Sequence, residues 1–178
     1  MDQVGGFALL ACRCGKPKTD CQKHPESAAS NRVVLPPTVE PTHYDLSLRL
    51  FLEQHRFDGE VAIALDVKVA TKTVTCHAKE LSFTAATCGA RTATTIAVDL
   101  AATTVTVAFD EALPVGAHTL TLTYGGVLNN DMAGLYRSTY TDARGEKKLM
   151  ASSQFESIDA RRCFPCVDEP GRKATFKV

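Results

Sequence analysis

The sequence predicts an all-β protein, an antiparallel β-sandwich or saddle, preceded by a poorly ordered N-terminal tail. Apolar and polar residues alternate with period two at residues 44–50 and again at 118–124, the pattern of a strand with one buried face. Segments rich in Thr and Val are separated by turn signals at a spacing of roughly ten residues. No segment shows the periodicity of an amphipathic helix of about three turns.

The predicted tail comprises residues 1–32, and the predicted domain comprises residues 33–178. The tail has no hydrophobic periodicity and carries Gly, Pro, Lys and Ser, which is typical of poorly ordered termini. Leu35-Pro36-Pro37 begins an extended lead-in, because proline fixes its own φ angle and disfavours the helical region for the residue before it.

Strands are predicted at residues 44–50, 61–69, 73–77, 94–98, 103–109 and 118–124, and a further strand is predicted to end at 153–156. Their Thr and Val residues fit a pleated surface. Pro114-Val115-Gly116 predicts the turn before the strand at 118–124.

Charge and hydropathy narrow the possible partners. The chain has 20 Lys and Arg against 20 Asp and Glu, a formal net charge of zero, so we expect neither a nucleic-acid nor an anionic-membrane partner. It lacks an apolar run of about 18 residues that could span a bilayer. The short apolar stretch at 6–11 follows no basic region, so we expect no secretory signal and a cytoplasmic location.

The seven cysteines favour free thiols, because an odd number without a secretory signal argues against a disulfide framework. Cys12, Cys14, Cys21 and His24 are ligand types that structural zinc prefers. Their C-x-C spacing is tighter than usual and no second ligand pair follows, so we favour a flexible extension over a zinc knot.

Cys163-Phe-Pro-Cys166 matches the C-x-x-C spacing of redox motifs. That chemistry needs a preceding βαβ unit and a helix N-terminus that lowers the thiol pKa. The sequence predicts neither, so a redox role is disfavoured. The five histidines are scattered and form no H-E-x-x-H motif, and no P-loop or G-x-S-x-G is present.

Gln154 and Glu156 are the candidate binding residues. Strand geometry is expected to place both on one face, with Phe155 pointing the other way into the core. A carboxylate there can accept hydrogen bonds from an ammonium group, and the amide can fix a neighbouring carbonyl. On spacing alone, a solvated strand end is the preferred interpretation.

The segment at residues 159–168 predicts an ion-paired corner with a structural role, because two acids and two arginines bracket an apolar centre (Asp159, Asp168, Arg161 and Arg162). Ser157 or Asp159 is expected to cap a short helical turn. Pro165 would stop that turn.

Four segments resemble the signature segments of the M1 aminopeptidases, with the puromycin-sensitive branch as the nearest subgroup. They are L-P-x-x-x-x-P-x-H-Y-D-L at 35–46, G-L-Y-R-S at 134–138, S-Q-F-E at 153–156 and D-A-R-R-C-F-P-C-V-D-E-P at 159–170. The resemblance extends over residues 33–178. It implies an N-terminal β-saddle domain that precedes a thermolysin-like catalytic domain.

The resemblance also implies roles for the two candidate residues. Glu156 would bind the free α-ammonium group of a peptide, and Gln154 would line the first side-chain pocket. In the family, G-x-M-E-N and the zinc-binding H-E-x-x-H with a downstream glutamate belong to the catalytic domain, and neither motif occurs in this sequence. We therefore expect zinc in the full-length enzyme, no zinc or catalytic residue in this chain, and no activity of the chain alone.

Two other interpretations remain open. One is a stand-alone β-sandwich binding module that uses the Gln154 and Glu156 face for contacts. The other is a thiol or zinc protein that uses the cysteines. A coding sequence with G-x-M-E-N and H-E-x-x-H beyond Val178 would favour a fragment of an aminopeptidase over the binding module, and metal analysis would test the third possibility.

Overall fold

The computed structural model describes residues 33–178. The predicted tail at 1–32, with Cys12, Cys14, Cys21 and His24, lies outside the described residues. Within the described range the chain is nearly all β, as predicted, and its helical segments are two 3₁₀ turns at Leu52–Gln54 and Ala160–Arg162. None of these described helices is long or apolar enough to cross a membrane.

Eleven strands are present in residues 33–178: β1 (Val39–Phe51), β2 (Arg56–Val67), β3 (Thr71–His77), β4 (Leu81–Cys88), β5 (Arg91–Thr92), β6 (Thr95–Asp99), β7 (Thr104–Leu113), β8 (Gly116–Val127), β9 (Gly134–Thr141), β10 (Lys147–Gln154) and β11 (Thr175–Lys177). They form a six-stranded sheet in the order β11-β1-β2-β8-β4-β5, a three-stranded sheet in the order β3-β7-β6, and the β9–β10 ribbon. All pairs are antiparallel except β11 with β1.

The core lies between the six-stranded and three-stranded sheets. Every second residue of β2 is buried from Phe57 to Val67, as the period-two pattern requires. These side chains belong to one apolar cluster with Val105 and Val107 of β7 and Leu120 and Leu122 of β8. The observed architecture is thus the sandwich that the alternation predicts.

Two aromatic rings lie over glycines on the neighbouring strand. Phe57 pairs with Gly126, and Gly59 pairs with Tyr124, in the register of β2 and β8. A Cβ atom on either glycine would lie 2.4 Å from the facing ring. The absence of a side chain at both positions therefore lets two large rings fill the core without separating the strands.

Two long strands were not predicted, β4 and β9. The apolar side chains of β4 do not alternate regularly, since the buried residues are Leu81, Ala86 and Cys88. A register shift between Phe83 and Ala85 explains this pattern, because a bulge changes which residues face the core. β4 nevertheless lies inside the six-stranded sheet, between β8 and β5.

Candidate functional site

Gln154 is the last residue of β10 and pairs with Gly134, the first residue of β9. The preceding pair on the same face is Ser152 with Tyr136, since side chains of a strand alternate between its faces. Because Gly134 has no side chain, no side chain of β9 lies directly opposite Gln154 across the ribbon. The Gln154 side chain is exposed at this open end.

Glu156 lies beyond the strand, which corrects the prediction that β10 continues to this residue. The ladder has no further partner, because β9 begins at Gly134 opposite Gln154. Glu156 instead lies in a turn that the Asp159 backbone N–H closes by donating to the Phe155 carbonyl oxygen at 2.9 Å. Turn geometry, and not strand alternation, therefore sets the direction of the exposed Glu156 side chain.

Phe155 was expected to point into the core, and it lies at the margin of the core. Its ring packs edge to face against the buried Phe164, with 6.0 Å between the ring centroids, but 37% of its surface remains exposed. Phe164 also packs edge to face against Tyr44 and Phe176. The segment that carries Gln154 and Glu156 is thereby attached to the aromatic edge of the core.

The predicted ion-paired corner is confirmed. Arg161 is buried, and its Nε donates to Oδ2 of Asp168 at 2.9 Å while Nη1 donates to Oγ1 of Thr103 at 2.9 Å. A buried guanidinium needs such partners, because an unpaired charge away from water is costly. The corner therefore fixes the chain that follows the candidate residues.

Arg162 forms the second half of this corner. Its Nε donates to Oδ1 of Asp159 at 2.9 Å, and its Nη1 donates to the Glu80 carboxylate. Asp159 occupies the N-cap of the 3₁₀ turn at Ala160–Arg162, but its side chain makes no capping hydrogen bond. The capping prediction for Asp159 was therefore right about its position and wrong about its side chain, which pairs with Arg162.

His77 organises the C-F-P-C segment, which the sequence did not reveal. The Cys166 carbonyl oxygen accepts from the His77 backbone N–H at 2.8 Å, and the Cys166 N–H donates to the His77 carbonyl oxygen at 3.1 Å. The ring Nδ1 accepts from the Asp168 backbone N–H at 3.1 Å, so Nε2 carries the proton that faces the Val33 carbonyl oxygen at 3.0 Å. Burial lowers the pKa of His77, consistent with this neutral ring.

The cysteines of the described domain are buried, free thiols. Burial raises the pKa of Cys76 and of Cys163 to about 12 and that of Cys166 well above its usual value. A redox C-x-x-C motif needs a lowered thiol pKa, so the arrangement favours a structural role for Cys163 and Cys166. Across Val33–Val178, no group of three or more His, Cys, Asp or Glu side chains could hold a metal ion.

The chain is similar to known peptidases over most of this fold. The family model described as Peptidase M1 N-terminal domain matches residues 40–178. Aminopeptidase M1 of Arabidopsis thaliana is 44% identical over 153 residues, which cover 81% of this chain and 17% of that protein. Mitochondrial Aminopeptidase 2 of Saccharomyces cerevisiae is 37% identical over 179 residues, which cover 97% of this chain and 18% of that protein.

A shorter bacterial relative, Aminopeptidase N of Acetobacter pasteurianus, is 38% identical over 144 residues, which cover 81% of this chain and 41% of that protein. The chain thus spans less than half the length of each of these three relatives. The similarity includes the segments that contain Gln154, Glu156 and the ion-paired corner, because all of them lie within residues 40–178.

Proposed function

Because this chain belongs to the M1 peptidase family through its N-terminal domain, we propose that it supplies one wall of an aminopeptidase active site. In this proposal the Glu156 carboxylate accepts hydrogen bonds from the free α-ammonium group of a peptide substrate. The Gln154 amide borders the pocket for the first side chain. Charge-assisted hydrogen bonds suit this task, since they are stronger than neutral ones and depend on the substrate carrying a free N-terminus.

The convergence of three motif segments at one point is the observation that carries the proposal. Gly134 of the G-L-Y-R-S segment pairs with Gln154 of the S-Q-F-E segment. Arg162 of the D-A-R-R-C segment lies against Gly134. Glu156 is in the turn between Gln154 and Arg162, so residues of all three segments lie together beneath the two candidate side chains.

An apolar groove beside this support favours contact with a further domain. It is lined by side chains of β1, the β9–β10 ribbon and the C-terminal segment, among them Leu46, Leu135, Phe155, Phe164, Phe176 and Val178. Phe155 and Phe176 are partly exposed in this groove, at 37% and 54% of their surface. Because contiguous exposed apolar surface commonly marks an interaction site, we assign this groove to contact with the catalytic domain of the enzyme.

The zinc of the M1 reaction is assigned to that catalytic domain. The residues at 33–178 do not fit a zinc site, since they provide no cluster of three potential ligands, and zinc needs at least three protein ligands in catalytic sites. In this proposal the domain at 33–178 holds and orients the substrate N-terminus.

A chimera tests the proposal. Residues 33–178 would replace the matching region of the Arabidopsis relative, and release of aminomethylcoumarin from its leucyl derivative would be measured. Glu156→Gln should raise KM by about tenfold to a hundredfold, because a hydrogen bond to a charged group is worth about 1.5–3 kcal/mol. Glu53→Gln, which changes another exposed carboxylate, is the matched control. An unchanged KM for Glu156→Gln in an active chimera would refute the anchoring role.

A further inference from the structure

Arg162 contacts both the end of the ribbon that carries Gln154 and the turn that contains Glu156. The Arg162 side chain is only 13% exposed and bridges two carboxylates, those of Asp159 and Glu80. Asp159 is the last residue of the turn that contains Glu156, and Glu80 lies between β3 and β4 in the body of the domain. Arg162 therefore ties the turn to the larger sheets.

The path from Arg162 to Glu156 is short. The Asp159 carboxylate accepts from Arg162 Nε at 2.9 Å. The backbone N–H of the same Asp159 donates to the Phe155 carbonyl oxygen at 2.9 Å and closes the turn around Glu156. Holding the Asp159 side chain thus favours the backbone conformation that directs Glu156.

The path from Arg162 to Gln154 goes through Gly134. A Cβ atom on Gly134 would lie 2.4 Å from the Arg162 Cβ atom, so the Arg162 side chain occupies the space that any larger residue would take. Gly134 is the cross-strand partner of Gln154. The stem of Arg162 therefore supports the end of the ribbon, while its guanidinium group supports the turn.

We propose that Arg162 is a positioning residue that fixes Gln154 and Glu156 relative to each other. This inference rests on the anchoring function proposed above for these two side chains. Arginine suits the role better than lysine, because its planar guanidinium group donates from several nitrogen atoms in fixed directions and can join two carboxylates at once. Partial burial increases the effect, since ion pairs that are fully exposed contribute little.

The first test uses the complete 178-residue chain labelled with ¹⁵N. Arg162→Gln should increase amide hydrogen exchange of Asp159 by about tenfold, because the turn opens locally without the ion pair. It should also shift the amide resonances of Gln154 and Glu156. Arg162→Lys should give intermediate values. Arg56→Gln is the control, because it removes an arginine from an exposed ion pair with Asp58 and should leave these signals unchanged.

Glu80→Gln keeps the test decisive if the Arg162 variants do not fold. Glu80 is 57% exposed, so its replacement should preserve the fold and still increase Asp159 exchange by about threefold. The proposal would be overturned if a folded Arg162 variant exchanged the Asp159 amide at the wild-type rate and left the Gln154 and Glu156 resonances unshifted. If neither Arg162 variant folds, the same result in Glu80→Gln would overturn it.

The second test measures function in the chimera with the Arabidopsis relative. Arg162→Gln should raise KM about tenfold with kcat within about twofold, the pattern of lost substrate binding. A lower kcat with unchanged KM would overturn the positioning role. If Glu156→Gln leaves KM unchanged, the anchoring function fails, whereas the exchange experiment still decides whether Arg162 fixes the turn.

Discussion

Gly134 and Arg162 are packed so closely that a Cβ atom on Gly134 would lie 2.4 Å from the Cβ atom of Arg162. Gly134 also has a φ angle of +69°, in the left-handed region that favours glycine. The conformation of Gly134 and the position of the Arg162 side chain therefore depend on each other. Gly134 begins the G-L-Y-R-S segment, and Arg162 is the second arginine of the D-A-R-R-C segment. Each segment is part of the other's local environment.

Gly134→Ala should destabilise the domain by about 2–5 kcal/mol. A left-handed conformation costs an alanine about 1–2 kcal/mol, and inserting a methyl group into a filled space costs about 1–3 kcal/mol. Urea unfolding followed by circular dichroism measures the change in the free energy of unfolding. Gly145→Ala is the matched control, because Gly145 has a φ angle of +82° but no heavy atom within 4 Å of its Cβ position. Equal losses in the two variants would contradict the packing argument.

The stability of the domain should respond differently to loss of the hydroxyl group at two buried tyrosines. The Tyr124 hydroxyl is buried and has no hydrogen-bond partner among the described residues, whereas the Tyr44 hydroxyl accepts from the Val167 backbone N–H at 3.0 Å. Tyr124→Phe should therefore be neutral or stabilising, because an unsatisfied polar group is removed. Tyr44→Phe should cost about 1–3 kcal/mol, because it leaves the Val167 N–H unpaired.

Thermal and urea unfolding of the two tyrosine variants provide the measurement. The two changes are chemically identical, so differences in side-chain volume cancel in the comparison. A loss of stability in Tyr124→Phe as large as in Tyr44→Phe would show that the Tyr124 hydroxyl has a partner, such as a bound water molecule.

Because its thiols are buried, the domain should have a smaller free energy of unfolding at alkaline pH. Burial raises the pKa of Cys76 and Cys163 from 9.0 to about 12, so above pH 9 the unfolded chain loses thiol protons that the folded chain retains. Their contribution to stability is complete below pH 9 and is lost as pH rises from 9 towards 12. The slope is at most about 1.4 kcal/mol per pH unit for each thiol.

Urea unfolding between about pH 8 and about pH 10.5 measures this slope. Cys76→Ala should reduce the slope, because one of the buried thiols with a raised pKa is removed. A slope that is the same in Cys76→Ala and in the wild type would show that the Cys76 thiol does not contribute. The comparison between the two proteins cancels the titration of lysines, which are present in both.

The sequence predicted the regular strands well, because their burial follows a strict alternation. β2 is the best example, with Phe57, Val61, Ile63 and Val67 buried on one face. β4 was missed because a bulge between Phe83 and Ala85 interrupts its pattern. β9 was missed because it belongs to the two-stranded ribbon with β10, where few of its side chains are buried.

The candidate site was predictable in its residues and not in its geometry. Motif position identified Gln154 and Glu156, whose roles remain a proposal. The end of β10 at Gln154 depends on where β9 begins, and no local pattern encodes that register. The roles of His77 and Arg162 were likewise hidden, because their partners Cys166, Val33, Gly134 and Glu80 become neighbours only through tertiary folding.

The purified 178-residue chain should not hydrolyse leucyl-aminomethylcoumarin. Binding and orienting a substrate N-terminus does not by itself activate a water molecule, and catalysis requires groups that stabilise the transition state. The described domain provides an exposed carboxylate and amide for binding but no cluster suited to a metal ion. Release of aminomethylcoumarin is followed by fluorescence with and without a chelator, and the Arabidopsis relative is the positive control. Chelator-sensitive release by the purified chain would contradict the assignment of catalysis to a separate domain.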